Sequence, residues 1–117
     1  MQPHIDGYRF GRIEIDGTAF TRDVLIVGGR VVAPWWRQAG GHVFAPADLQ
    51  EVLTASPEVV VLGTGYLGMV SVRDELLGAF ADAGCEVVSE RTPRAVTAYN
   101  ELCAARRNVA AALHLTC

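Results

Sequence analysis

Residues 59–62 read Val-Val-Val-Leu, and the run breaks at once into Gly63, Thr64 and Gly65. A β-branched run with no polar alternation has no face to give to water. It belongs to a strand covered on both sides, as in a parallel or mixed sheet with a layer on each face. At four residues it is far short of the roughly 20 that a membrane span needs. Residues 72–83 then carry Leu76, Leu77 and Phe80 at helical spacing, and residues 85–89 are a second apolar stretch. Strand, helix and strand in that order make a right-handed parallel crossover. Ser71 and Asp74 stand at capping-box spacing, which puts the helix start at Val72.

The rest of the chain supplies what covers this sheet. Tyr8, Phe10, Ile13 and Ile15 share one face if Gly11 sits at a bulge, and Asp16-Gly17 is a type I′ turn signal. Residues 24–27 and 31–33 flank Gly28-Gly29 as a second hairpin, and the two hairpins together read as a small antiparallel β layer. Residues 34–42, with Trp35 and Trp36, hold too many turn residues for regular structure, whereas Pro46 opens a helix over residues 46–53. Thr92 and Pro93 read as an N-cap and first helical residue. That helix runs to about Arg107 with Val96, Tyr99, Leu102 and Cys103 inward and ends at Asn108, and residues 109–115 form a closing strand. The expectation is an α/β fold in three layers, one domain over residues 1–117. Its central mixed sheet has helices on one side and the small antiparallel β layer plus a helix on the other.

Several function classes fall away on composition. The net charge is −3 and every basic residue is an arginine, so the chain carries no general field for nucleic acid. Cys85, Cys103 and Cys117 are odd in number and lack a C-x-x-C pair. They read as reduced thiols, with neither a disulfide framework nor a metal site. The first residues show no signal pattern and no run spans a membrane, so the expectation is a cytoplasmic protein, a monomer or weak homo-oligomer.

Gly63-x-Gly65-x-x-Gly68 has the spacing of a dinucleotide loop, and Glu90 lies 22 residues past the third glycine. In that motif the third glycine is already inside the helix. Here the helix starts four residues beyond Gly68, and too little chain follows Glu90 for the second half of a dinucleotide fold. No cofactor is expected. Gly63 and Gly65 read instead as sites of unusual φ or close backbone approach at a strand's carboxyl end, which is also where open α/β sheets bind ligands. Tyr66, a large aromatic within this loop, has no role in that account.

Four segments in order, residues 35–53, 59–65, 92–102 and 114–117, carry a family likeness. With the T-x-x-A-x-x-x-Y-N pattern of Thr92, Ala95, Tyr99 and Asn100, the tryptophan–arginine loop and Arg107, the chain resembles the adipogenesis-associated domain protein family. The wider superfamily of that group includes an assembly factor for mitochondrial complex I. Ala105 and Arg106 depart from the family pattern of glutamate and glycine, so no role of the family's acid at position 105 carries over to this chain. It implies a three-layer α/β fold without a settled biochemical activity.

The candidate site residues are Trp36, Arg37 and His42 in the loop, Gly63 and Gly65 at the strand end, and Thr92, Tyr99, Asn100 and Arg107 along the helix. Brought together, aromatic walls, free N–H groups and arginines suit a small anion such as a carboxylate or phosphate. The same residues serve equally as core edge and helix ties. No nucleophile, base and orienting partner form a local signature, so no catalytic residues are assigned. The favoured reading is a non-catalytic binding or assembly module acting through a protein partner; the alternative is a small-anion-binding protein or enzyme. An exposed apolar patch, expected around Trp35, marks the first. Arginines and N–H groups converging on a concavity mark the second.

Overall fold

The structure is a computed structural model that describes residues 1–38 and 40–117. Ile5–Arg9 (β1), Arg12–Ile15 (β2) and Thr18–Phe20 (β3) form an antiparallel sheet. Asp16 and Gly17 turn β2 into β3 with φ of 48° and 80°, the two positive values a type I′ turn requires. Val24–Val27 (β4) and Arg30–Val32 (β5) pair across Gly28-Gly29. Val43–Phe44 (β6) precedes a 3-10 turn, Pro46–Leu49, and the helix Gln50–Ala55 (α1). Then come Val59–Gly63 (β7), Ser71–Val72 (β8), Asp74–Asp82 (α2), Glu86–Glu90 (β9), Thr92–Ala104 (α3) and Val109–Leu113 (β10).

The central sheet has the order β5-β4-β10-β7-β9. β10 lies in its middle, parallel to β7 and antiparallel to β4, and β7 is parallel to β9, so the sheet is mixed. Every residue of β4, β7 and β10 is buried, as the unbroken apolar run demands. Alternate side chains go to opposite layers. Val60, Leu62 and Ala112 pack on one side with Phe44, Leu49, Leu76 and Phe80. On the other side, Val61, Ala111 and Leu113 pack with Ile5, Ile13 and Ile15 of the small sheet and with Val96 and Tyr99 of α3. Each fully buried Val, Leu or Phe contributes about 1.5–3 kcal/mol. The expected three-layer α/β fold, with helices on one side and a β layer plus a helix on the other, is what the chain adopts.

Several local readings are corrected. The hairpin of residues 24–32 joins the central sheet rather than the small β layer, because β4 pairs with β10. Gly11 lies in the turn between β1 and β2 at φ 78°; the register irregularity falls between Ile5 and Gly7, and Phe10 is exposed. Ser71 does not cap α2. Its amide donates to His42 carbonyl, and the pairing of β8 with β6 delays the helix to Asp74. Leu77 is exposed while Leu76 and Phe80 are fully buried. α3 ends at Ala104, with Arg106 in the left-handed region at φ 63°, and Thr92 is its first residue rather than its side-chain cap.

Candidate functional site

The carboxyl ends of β7 and β10 lie side by side, and several chain segments are tied together there. Gly63 ends β7 where a Cβ would come within 2.8 Å of the Leu113 side chain and 3.0 Å of Thr92 Oγ1. Gly65, at φ 107°, leaves no room for a side chain against the backbone of Cys117. The loop amides that would face a phosphate in a nucleotide site are bonded to the chain itself. Tyr66 N–H donates to Thr116 carbonyl at 2.7 Å, and the N–H groups of Leu67 and Met69 donate to the Cys117 main-chain oxygen at 3.2 and 3.0 Å. Fully buried Thr92 locks the arrangement: its Oγ1 accepts from Gly65 N–H at 2.9 Å and donates to His114 carbonyl at 2.7 Å.

The His114 side chain belongs to a second cluster. Its Nδ1 lies 2.7 Å from Asp23 Oδ2, and since a carboxylate only accepts, Nδ1 carries the proton. Asp23 also accepts from Leu115 N–H at 2.9 Å and from the guanidinium of Arg37. Burial pushes the Asp23 carboxyl up, but hydrogen bonds from His114, Leu115 and Arg37 outweigh it and hold the group below its ordinary value. The Arg37 guanidinium lies 5.5 Å from the Trp35 ring and 5.4 Å from Phe44, and its Nε is buried without a partner. His114 Nε2 has Thr116 Oγ1 at 3.3 Å. Asp23, His114 and Thr116 thus stand in the order orienter, base and hydroxyl. The aspartate oxygen that orients the ring is shared with Arg37, so the cluster reads as a neutralised clamp fixing the tryptophan loop to the sheet end.

The candidate residues divide among five places. Arg37 is in this clamp and His42 stands edge-on to the His114 ring at 5.6 Å, with its own side exposed. Trp36 is 69% exposed beneath the guanidinium of Arg22, whereas Trp35 is buried and donates its ring N–H to Asp48 carbonyl. Gly63, Gly65 and Thr92 form the tied junction just described. Tyr99 and Asn100 instead hold the beginning of the chain: Tyr99 OH donates to Pro3 carbonyl at 2.7 Å, and the Asn100 amide bonds both N–H and C=O of Ile5. Arg107 lies at the opposite end of the parallel strands, with Glu58 at 3.8 Å and Glu86 at 3.5 Å. Asp23 and His114 form no recognisable pair in the sequence, because 91 residues separate them. The only signal was a shared position at the ends of two apolar strands.

A third feature lies over the tied junction. Phe10, Tyr66, Leu67 and Met69 are 54, 46, 54 and 56% exposed, and the Phe10 and Tyr66 rings meet edge to face with centroids 5.9 Å apart. Gly11 N–H donates to Leu115 carbonyl at 2.8 Å, so the β1–β2 turn is tied to the same terminal segment that anchors the glycine loop. Tyr8 beneath them donates to Leu115 carbonyl, and burial, then the nearby Tyr66 and Asp23, raise its phenol to about 12. An exposed apolar patch therefore lies on the glycine loop, while beside buried Trp35 the exposed apolar side chain is Trp36.

Among known proteins, the family described as "Protein of unknown function (DUF498/DUF598)" matches residues 5–114. A conserved hypothetical protein of Pyrococcus horikoshii is 30% identical, with a TM-score of 0.83 covering 97% of this chain and 98% of that one. A protein of Bordetella parapertussis is 27% identical, with a TM-score of 0.79 covering 97% and 96%. A Bordetella pertussis protein described as a Mth938-like domain shares the fold at 23% identity, TM-score 0.75, covering 97% and 85%.

Proposed function

The chain belongs to the DUF498/DUF598 family of proteins of unknown function, and we propose that it is a non-catalytic binding or assembly module that acts in the cytoplasm through a protein partner. The observation that supports this is the exposure of Phe10, Tyr66, Leu67 and Met69 on a loop and turn whose backbone is fixed. Apolar side chains held on a bonded backbone lose little conformational freedom on binding, and an aromatic-rich contiguous patch is characteristic of interfaces. The pairing of the Arg37 guanidinium with Asp23 supports this reading over the small-anion alternative, in which Arg37 is the cation.

The test is a photoreactive benzoylphenylalanine placed at Met69 and, in a second protein, at Leu77 on α2. In cells of the source organism, light is expected to give a discrete protein adduct from position 69 and none from position 77. No adduct at 69, or the same adducts from both positions, contradicts the reading.

A further inference from the structure

The exposed patch has a charged rim. Arg9 is exposed immediately before Phe10, and the Arg91 side chain lies across Gly68, where a Cβ would be 3.2 Å from its Cγ and 3.3 Å from its Nε. Among the described residues, neither arginine takes part in an ion pair. Glu90, the acid one residue before Arg91, is instead within 3.9 Å of Arg94. The 13-residue helix α3 also opens against this loop, with Thr92 N–H donating to Gly65 carbonyl at 3.0 Å, so its positive dipole end faces the same way. A chain of net charge −3 thus presents unneutralised positive charge at the edge of its apolar patch.

Resting on the reading of this patch as a protein interface, we propose that its partner is a protein surface with an apolar recess edged by carboxylates. A second copy of the chain fits poorly. A two-fold contact of patch on patch closes one arginine-bearing rim on another and offers these arginines no added counter-charge. Carboxylates facing Arg91 and Arg9 instead gain charge-assisted hydrogen bonds at the rim, while Tyr66, Leu67 and Met69 fill the apolar centre. The rim charges then set partner choice and encounter rate more than total affinity.

The experiment is an NMR titration of the full, 15N-labelled chain with two synthetic peptides of identical leucine and phenylalanine content, one flanked by aspartates and glutamates and the other by lysines. The acidic peptide is expected to move the amide signals of residues 66–69 and Phe10 and to bind at least about tenfold more tightly, a preference that weakens with added salt. The Arg9→Glu/Arg91→Glu variant is expected to reverse the ranking while the signals of β7 and β10 stay in place. If that variant does not fold, the salt series on the natural chain decides the matter. Equal binding of both peptides at the patch, or a preference unmoved by salt, overturns the acidic rim and leaves the interface standing. Signals at residues 66–69 that neither peptide moves overturn both.

Discussion

Thr92 is fully buried, and its one oxygen closes two hydrogen bonds between segments that sequence places far apart. Thr92→Val keeps the shape and leaves the Gly65 amide and His114 carbonyl without that partner. The expected loss is about 2–4 kcal/mol, read from the urea unfolding midpoint, with Thr92→Ser retaining most of the stability. Asp23 gives the molecule an acid limit. Its carboxyl is held below 3.8 in the folded chain, so its contribution is complete above the unfolded value and is lost as pH falls through the folded one. Thermal melts are therefore expected to drop below about pH 4. Asp23→Asn flattens that drop, and at neutral pH it costs about 3 kcal/mol because Arg37 is left buried without its counter-charge. The sequence marks Thr92 both as a helix cap and as a candidate site residue, whereas nothing in it marks Asp23. Local pattern marks a threonine before a proline; it cannot show that the hydroxyl is claimed by a loop 27 residues earlier.

Elements follow the same division between local and distant causes. β7 is legible because its short run is β-branched, and the Asp16-Gly17 turn because two positive φ values restrict what fits; the alanines of β10 fit helix or strand, and Asn108 before them with the Val/Leu/His/Leu pattern favours the strand. The placement of the second hairpin was not legible: its pattern suits either sheet, and its pairing with β10 decides between them. The capping box at Ser71 had the right letters, yet β6 takes that segment as a strand partner. α3 carries the small sheet through Asn100, whose side-chain amide bonds Ile5 N–H at 3.1 Å and Ile5 C=O at 2.8 Å, much as a neighbouring strand would. Asn100→Ala is expected to speed hydrogen exchange at the Ile5 amide by roughly tenfold, corresponding to a local loss of about 1.4 kcal/mol, and to leave β7 and β10 unchanged. Exchange that rises evenly through all strands contradicts that division of labour.

At the scale of the whole molecule, the glycine motif gains a purpose that its spacing alone did not convey. Gly63 and Gly65 let the loop lie against β10 and the terminal segment, and the anchored loop in turn holds Tyr66, Leu67 and Met69 out to solvent beside Phe10. Candidate residues on the loop and at the strand ends do gather at one end of the sheet, whereas Tyr99, Asn100 and Arg107 hold the chain together elsewhere. Among the described residues, no helix is long and apolar enough to cross a membrane. The central claim is that the patch on this loop engages another protein. Native mass spectrometry of the chain drawn gently from its source organism tests it most directly, comparing the natural sequence with Leu67→Ser/Met69→Ser. The account predicts a defined complex of the 12.6 kDa chain with a protein partner, lost in the double variant. The bare chain in both samples, or a retained small anion that disappears in Arg37→Ala, would contradict it.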